Sequence, residues 1–221
     1  MIDGILTTIK LGILCWSFAL FIGVIIGTLR YSPWKLARFF AAGYTEFFRN
    51  IPLLVQLFFW YFAAPSVLPE RMVKLIYHDT LNVEFWVVVI GLSIYTSSRV
   101  AEQIRAGIGS ISREQFDAAL STGLTPLQMY RFVIVPLSIR IMMPPLTTEF
   151  LTTFKNTSLA MTVGVLETTF MSQQIEAYTF HGLEATTGAS LVYITITMII
   201  MLIMTNVEKR LSVPGFIIRQ R

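Results

Sequence analysis

GILTTIKLGILCWSFALFIGVIIGTL, residues 4–29, decides the fold class of this protein. The stretch is almost entirely apolar, and a transmembrane helix needs about 20 such residues. It is too long, and too poor in a cleavage site, to be a removed signal peptide. It therefore predicts a membrane-spanning helix that starts close to the N-terminus.

Four further apolar stretches continue this pattern along the chain. They are residues 51–68, 85–104, 133–154 with a broken continuation to 166, and 185–207. Of the 221 residues, 54% are hydrophobic and only 14% are charged, whereas about a quarter of a soluble domain is charged. The alternating ten-residue segments of a membrane barrel are absent. We therefore predict an all-α integral membrane protein with five spans in a single domain, residues 1–221.

The basic residues predict how the chain lies in the membrane. They concentrate in the first loop, the third loop and the tail: Arg30, Lys35, Arg38, Arg49; Arg105, Arg113, Arg131, Arg140; Lys209, Arg210, Arg219, Arg221. The fourth loop carries three glutamates and no Lys or Arg, and the second loop is mixed. Because loops rich in Lys and Arg stay in the cytoplasm, we predict an external N-terminus and a cytoplasmic tail over residues 208–221.

The loop between the third and fourth predicted spans is polar and basic. Its sequence REQFDAALSTG places Phe116, Leu120 and Leu124 at i, i+4 and i+8, as in an amphipathic helix. Gly123 permits a positive φ where that helix turns, and Pro126 can open a second short helix. Such a helix either docks into a cleft of a partner or lies on the lipid surface, and the residues alone leave both alternatives open.

This loop resembles the "EAA" loop of ATP-binding-cassette importer permeases, which has an acidic residue, two Ala, a Gly, an apolar pair and a Pro. The residues concerned are Asp117, Ala118, Ala119, Gly123, Leu124, Pro126, Val133, Val135 and Pro136. Asp117 replaces the usual Glu, and its shorter side chain weakens a hydrogen bond to a partner. The resemblance implies that residues 112–131 form cytoplasmic coupling helices that dock into an ATPase subunit.

Other segments resemble the polar amino-acid branch of these permeases, and in particular its glutamate/aspartate members. They are FFRNIPLLVQLFFWYF (47–62), YTSSRVAEQIRAGIGSI (95–111), PPLTTEFLTTFKNTSLAMTVGVLE (144–167) and NVEKRLSVPG (206–215). The resemblance implies a five-span type I importer permease of the bacterial inner membrane. It also implies the partners: two ATPase subunits, a second permease that is identical or paralogous, and an external solute-binding protein.

The chain itself lacks the motifs of a catalyst. No G-x-x-x-x-G-K-[ST] phosphate-binding loop occurs, so we expect a transport subunit with no cofactor of its own, and ATP and Mg used by the partner ATPase. Cys15 is the single cysteine, and His78 and His181 lie far apart, so we predict no metal site. The basic residues are confined to loops, so we expect no nucleic-acid partner.

Polar residues in the fourth predicted span mark a candidate substrate pathway. Glu149, Thr152, Thr153 and Asn156 recur at i, i+3, i+4 and i+7, on one helix face. An ionisable residue inside a membrane costs roughly 2.5–3.5 kcal/mol and is usually functional. This face therefore lines the pathway, or it is a polar seam that joins helices or subunits. The resemblance implies a lining role. It also implies that the substrate is not cationic, because relatives that carry cationic amino acids tend to have an acid at the place of Asn156.

Three more polar residues are candidates for the same pathway. The ammonium of Lys155 meets a substrate carboxylate, pairs with Glu149, or snorkels to the interface. An arginine at position 99 is a feature in which this chain resembles the glutamate/aspartate permeases. Its guanidinium can hold a substrate carboxylate by two hydrogen bonds. The alternative is that Arg99 pairs with Glu102 along the same helix. Gln56 is an inward-facing candidate whose alternative is a structural hydrogen bond.

The expected function is the import of acidic amino acids, with neutral polar amino acids such as glutamine as the alternative. A self-sufficient secondary transporter is the less favoured class, because such proteins usually carry internal repeats and more spans. We expect Glu167 and Glu176 to face the outer solvent or touch the binding protein. We expect Arg49 and Pro52 to shape the chain and to contribute to interfaces, and not to bind the substrate.

Overall fold

The computed structural model describes residues 1–78 and 82–211, and within these residues it is helical without strands. The principal helices are α1 (Ile2–Leu29), α2 (Lys35–Asn50), α3 (Leu53–Val67), α4 (Val83–Gly109), α5 (Arg113–Ser121), α6 (Pro126–Val163), α7 (Thr168–Thr179) and α8 (Gly182–Leu211). The all-α prediction is confirmed. Arg219, Arg221 and most of the predicted tail lie outside the described residues.

The described helices give four spans by length and apolarity, α1, α4, α6 and α8, or five if α2 and α3 together count as one bent span. Most of the predicted first loop is the 16-residue helix α2. The axes of α2 and α3 differ by 102°. Pro52 explains the break, since the residue before a proline avoids helical angles, and Ile51 is extended (φ −94°, ψ 129°).

The centre of the bundle is the contact between α1 and α4. Small residues on α1 bring the two backbones together: a Cβ added at Gly23 would lie 2.5 Å from Cγ1 of Val100, and one at Gly27 would lie 2.8 Å from Cβ of Ile104. Close approach through small residues is the usual way in which membrane helices gain packing energy. The main apolar cluster is Leu11, Cys15, Leu53, Leu57, Val88, Val89, Leu92, Ala160, Val163 and Val165.

The fourth predicted span lies within α6, which is longer than expected. It contains Pro144 and Pro145 and continues past Asn156 as a tighter 3₁₀ segment, Thr157–Val163. Gly164 ends it with φ +90°, a left-handed conformation that glycine adopts without strain. The broken continuation predicted to residue 166 therefore corresponds to this 3₁₀ turn and its glycine.

Glu167 does not face solvent, so that expectation is wrong. The residue is 0% exposed, and its carboxylate accepts hydrogen bonds from the backbone amides of Thr169 and Phe170, both at 2.8 Å, and from the hydroxyl of Tyr193 at 2.6 Å. It therefore caps the first turn of α7 and ties α7 to α8. Burial raises the pKa of this carboxyl, whereas the bond from Tyr193 lowers it. Glu176 is exposed, as predicted.

Candidate functional site

Arg99 on α4 and Glu149 on α6 form a two-pronged ion pair between the two helices. Nε of Arg99 lies 2.7 Å from Oε2 of Glu149, and Nη2 lies 3.0 Å from Oε1. The side chain of Glu149 is only 5% exposed, whereas that of Arg99 is 36% exposed. The guanidinium also lies over the ring of Tyr95, 5.8 Å from its centroid. A planar guanidinium satisfies a buried carboxylate in this way better than an ammonium does.

The Arg99–Glu149 pair differs from the two ion pairs that the sequence suggested, Arg99 with Glu102 and Glu149 with Lys155. Arg99 does not pair with Glu102 along its own helix, and Glu149 does not pair with Lys155. Lys155 is exposed, and no ion pair joins it to any other described residue within 4 Å. The reason is helix geometry: Glu149 points into the bundle toward α4, whereas Lys155 lies on the outer side of α6.

The predicted polar face of the fourth span is only partly turned inward. Glu149 and Thr153 are buried, whereas Thr152 and Asn156 are half-buried. The hydroxyl of Thr153 donates to the carbonyl of Glu149, and that of Thr152 donates to the carbonyl of Thr148, each at 2.8 Å. Both threonines therefore satisfy their hydroxyl donors within α6, whereas Glu149 forms an ion pair with another span.

Gln56 serves the bend between α2 and α3. Its side-chain amide donates to the carbonyl of Phe48 at 2.7 Å and to that of Ile51 at 3.0 Å. These carbonyls belong to the last turn of α2 and its cap, where no further backbone amide is available to them. The position of Gln56 therefore agrees with the alternative that its side chain makes a structural hydrogen bond. Gln56 does not line the cavity that lies beside Arg99, which is described next.

A small cavity opens beside the Arg99–Glu149 pair. It has a volume of about 220 Å³ and is lined by Arg49, Arg99, Glu102, Gln103 and Glu149. Three of these residues, Arg49, Glu102 and Gln103, were not predicted as site residues. A signal was available: Arg99, Glu102 and Gln103 recur at i, i+3 and i+4 and so share one face of α4. The position of Arg49 followed only from the bend at Pro52.

Glu102 is the centre of a cluster of arginines. Nη2 of Arg105 lies 2.5 Å from its carboxylate, and Nη1 of Arg49 and of Arg30 lie at 3.7 Å and 3.8 Å. Arg30 directly follows α1, and Arg49 lies in the last turn of α2, where the negative end of the helix dipole favours a cation. Nη1 of Arg30 is buried and has no hydrogen-bond partner among the described residues. The cluster thus carries an excess of positive charge.

The predicted coupling segment forms the helix α5 and the start of α6, which lie on either side of a turn at Gly123. The helix α5 begins after Ser112, whose amide donates to Oε1 of Gln115 at 3.3 Å. Gly123 has φ +80°, as predicted. Pro126 opens the next helix, as predicted, and the hydroxyl of Thr125 accepts from the amide of Gln128 at 3.4 Å. This second helix is not separate, because it continues through a wider turn, Tyr130–Ile134, into the fourth span.

The side chains of this segment divide into a buried and an exposed set. Ala119 is buried with Ile111, Met129 and Ile134, whereas Leu124 and Pro136 are half-buried. Exposed side chains are Asp117, Ala118, Leu120 (47%), Leu127 (79%), Tyr130 (49%) and Phe132 (61%). Exposed apolar side chains of this size mark contact with another protein or with lipid. Among the described residues, no group of three or more His, Cys, Asp or Glu could hold a metal ion.

Comparison with known proteins gives these features a family. The model of the family described as "Binding-protein-dependent transport system inner membrane component" matches residues 19–213. The glutamate/aspartate import permease protein GltJ of Escherichia coli (strain K12) is 37% identical over 216 residues, which are 96% of this chain and 87% of that protein. The probable glutamine ABC transporter permease protein GlnM of Bacillus subtilis (strain 168) is 31% identical over 95% of this chain and 92% of that protein.

Solved structures agree with this relationship. An amino acid ABC transporter with histidines superposes with a TM-score of 0.83 at 28% identity, over 95% of this chain and 92% of that chain. The MetNI methionine ABC transporter, in an inward facing conformation, superposes with a TM-score of 0.76 at 16% identity and shows the fold alone. The chain belongs to the family of binding-protein-dependent transport system inner membrane components: it is an amino-acid permease subunit of an ATP-binding-cassette importer, and the ATPase is a separate subunit.

Proposed function

We propose that the chain is the permease subunit of an importer for acidic amino acids, glutamate and aspartate. The observation that carries this proposal is the guanidinium of Arg99, held between two spans beside a cavity and already bound to a carboxylate in the geometry that a substrate carboxylate would adopt. The relative GltJ, named as a glutamate/aspartate import permease, supports the same substrate class.

The charges around the cavity support an anionic substrate. In the part of the chain that the structure describes, the guanidiniums of Arg30, Arg49, Arg99 and Arg105 form ion pairs within 4 Å with two carboxylates, those of Glu102 and Glu149. Glu46 acts on Arg105 from a greater distance, which leaves four positive and three negative charges in this region. A crevice with an excess of one charge concentrates ligands of the opposite charge. An acidic amino acid, with its net negative charge, is attracted to this region, whereas a cationic amino acid is repelled.

Transport in this proposal follows ATP-driven alternating access. Two ATPase subunits close on ATP and Mg, move the segment that carries Asp117, Ala118, Ala119 and Gly123, and so rock the spans between inward-open and outward-open states. The helix α6 supports this lever because it runs without a break from Pro126, in this segment, to the part of the span that holds Glu149. A second permease, identical or paralogous, completes the pathway, and an external solute-binding protein delivers the substrate.

The orientation and the rest of the pathway follow the same proposal. The N-terminus lies outside and the C-terminus in the cytoplasm, so the arginine cluster around Glu102 lies toward the cytoplasm. Thr152, Thr153, Lys155 and Asn156 line the pathway toward the second permease. The incomplete burial of Thr152, Lys155 and Asn156 supports this role, because a second subunit is still available to cover them.

The alternative substrate is a neutral polar amino acid, which the resemblance to GlnM favours. The deciding experiment is uptake of labelled glutamate by cells with and without this gene, with unlabelled aspartate, glutamine, arginine and histidine as competitors. Loss of uptake on deletion, with aspartate as the strongest competitor, supports the proposal. Glutamate uptake that is unchanged on deletion, in cells that express the transporter, refutes the substrate class and leaves the family membership intact.

A matched variant tests the part of Arg99. The double variant Arg99→Gln/Glu149→Gln removes both charges together, so that no buried carboxylate is left without a partner. We expect the assembled transporter to be retained and glutamate uptake to be lost. The same substitution at the exposed Arg71 is the control. Unchanged glutamate uptake in the double variant would remove Arg99 from the pathway.

A further inference from the structure

Lys10 is a charged residue inside a span, and the proposed transport pathway does not use it. It is the one basic residue of α1 (Ile2–Leu29), and its side chain is exposed. No ion pair within 4 Å joins it to any other residue that the structure describes. An ionisable residue within a span is costly and normally has a partner. Lys10 therefore needs a partner from outside the described chain or a route to the aqueous interface.

Lys10 lies near the edge of the hydrocarbon layer that the proposed orientation places outside. The helix α1 has 28 residues, so it is roughly 42 Å long at about 1.5 Å per residue, whereas the hydrocarbon core is roughly 30 Å thick. Lys10 lies about 12 Å along α1 from Ile2, which is only slightly inside that core when α1 is centred. Its long side chain then reaches the level of the lipid headgroups.

A cavity of about 570 Å³ is lined by both Lys10 and Glu84. Glu84 is the second residue of α4, is half-buried, and forms no ion pair within residues 1–78 and 82–211. Its carboxylate accepts a hydrogen bond from the hydroxyl of Tyr61. Among the described residues of the lining, Lys10 and Glu84 are the two that carry a charge. Two opposite charges therefore line one space without pairing with each other.

This charge pattern fits a ligand that carries a phosphate and an ammonium close together. The phosphate suits the ammonium of Lys10, and the ligand's ammonium suits the carboxylate of Glu84, because charge-assisted hydrogen bonds are the strong ones. The phosphoethanolamine headgroup of a membrane lipid carries both groups. A choline headgroup has no N–H to donate to Glu84, and an anionic glycerol headgroup brings no cation to it. Basic pockets between spans are a recurring way in which membrane proteins bind lipid headgroups.

Apolar side chains continue from the cavity toward the centre of the membrane. Trp86 lines the cavity and is exposed, and Ile90 is exposed one turn further along α4. On α1, Ile13 is exposed one turn beyond Lys10. Residues three or four apart share a helix face, so both helices present apolar surface below the two charges. A lipid has acyl chains for this surface, whereas a free amino acid has none and a protein docked on the outer face does not enter the hydrocarbon layer.

We infer that this cavity binds the headgroup of phosphatidylethanolamine from the outer leaflet, with the phosphate on Lys10 and the ammonium on Glu84. The acyl chains lie along Ile13 and Ile90. The lipid supplies Lys10 with a partner, and it fills the space between α1, α4 and the segment that follows α6. The inference does not involve the transported substrate, so it is tested separately from the proposed function.

The test counts the lipids that stay bound to the complete transporter, with both permeases and both ATPases, by native mass spectrometry. The transporter is taken from nanodiscs with equal amounts of phosphatidylethanolamine, phosphatidylcholine and phosphatidylglycerol that have the same acyl chains. We expect the wild type to retain phosphatidylethanolamine over each of the others by roughly fivefold, the usual effect of one cation at a membrane surface. Lys10→Gln should abolish this preference, whereas Lys10→Arg, which keeps the cation, should preserve it.

Glu84→Gln separates the roles of the two charges. It should leave a phospholipid bound at Lys10 but remove the preference for phosphatidylethanolamine over phosphatidylglycerol, because only the ammonium loses its partner. Lys74→Gln and Glu70→Gln are the matched controls. Both residues are exposed between α3 and α4 and do not line the cavity, so we expect wild-type lipid retention. Size-exclusion chromatography checks that each variant is assembled.

Several results would overturn the inference. One is a wild-type transporter that retains the three lipids equally, and another is a preference that survives both Lys10→Gln and Glu84→Gln. If Lys10→Gln keeps the lipid preference but weakens binding of the external solute-binding protein, the cavity belongs to a protein contact. If the transporter retains no lipid there but binds labelled glutamate in a way that Lys10→Gln abolishes, the ligand is the substrate. Failure of glutamate uptake with the lipid preference intact would contradict the proposed function and leave this inference standing.

Discussion

Arg99 and Glu149 stand 50 positions apart in sequence and share two hydrogen bonds, at 2.7 Å and 3.0 Å, across the contact between α4 and α6. The pair joins α4, which precedes the predicted coupling segment, to α6, which begins within that segment at Pro126. A movement of that segment therefore acts on both ends of the pair. This gives the pair two separable properties, stability of the contact and availability of the guanidinium for a substrate.

Two variants, Glu149→Ala and the exchange Arg99→Glu/Glu149→Arg, separate the stability of the contact from the availability of the guanidinium. Glu149→Ala leaves the guanidinium without its carboxylate and should lower the free energy of unfolding by about 1.5–3 kcal/mol, the usual value for hydrogen bonds to a charged group, toward the lower end because Arg99 is partly exposed. The exchange Arg99→Glu/Glu149→Arg should recover part of this loss, measured as the thermal midpoint in detergent. Glutamate uptake should stay absent, because the cation has moved to the buried side. Recovery of uptake together with stability would mean that the pair is only structural.

Substitution of Gly123 should impair coupling without a steric clash. A Cβ at this position would meet no atom within 4 Å, but φ is +80°, and a non-glycine residue pays about 1–2 kcal/mol for that conformation. We expect Gly123→Ala to lower glutamate-stimulated ATP hydrolysis in the complete transporter, because the turn between the two helices relaxes. Gly43→Ala is the control, since it is equally free of contacts and lies within the helix α2. Equal activity of both variants would contradict this role of the turn.

A charge at Leu127 should weaken the association with the ATPase subunit. The side chain is 79% exposed in the first turn of α6, beside the predicted coupling residues. Leu127→Glu places a carboxylate where an apolar contact is proposed, so we expect less ATPase to co-purify with the permease. Leu183→Glu is the matched control, because Leu183 is 82% exposed at the start of α8, away from this segment in the chain. Equal ATPase recovery from both variants would show that Leu127 lies outside the interface.

The hydrogen bond between Tyr193 and the buried carboxylate of Glu167 should contribute measurably to the stability of the protein. Tyr193→Phe removes the hydroxyl that donates to the carboxylate at 2.6 Å, and a bond of this kind contributes about 1.5–3 kcal/mol. We expect a lower thermal midpoint in detergent. The hydrogen bonds that the backbone amides of Thr169 and Phe170 donate to Glu167 should be retained. Tyr178→Phe, at an 81% exposed position of α7, should leave the midpoint unchanged. A midpoint that Tyr193→Phe does not lower would mean that water replaces the hydroxyl.

The sequence by itself determined the class of the molecule. Apolar stretches of span length predict helices in a membrane, since no other local structure satisfies the backbone there. The turn at Gly123 and the helix start at Pro126 were also predicted, because both depend on the backbone of one residue. Arg99 and Glu149 were predicted as site residues from the sequence because each is an ionisable residue inside a span.

Only the tertiary structure decided which polar groups meet. Arg99 had one candidate partner on its own helix, Glu102, and Glu149 had Lys155 nearby in sequence, yet Arg99 and Glu149 pair with each other between two helices. Glu167 was predicted as a surface residue. It is 0% exposed, because α7 and α8 cover it. Arg49 reached the cavity through the 102° bend at Pro52. Helical periodicity fixes the face on which a side chain lies, but the partner on that face depends on how the spans pack, and packing is a property of the whole bundle.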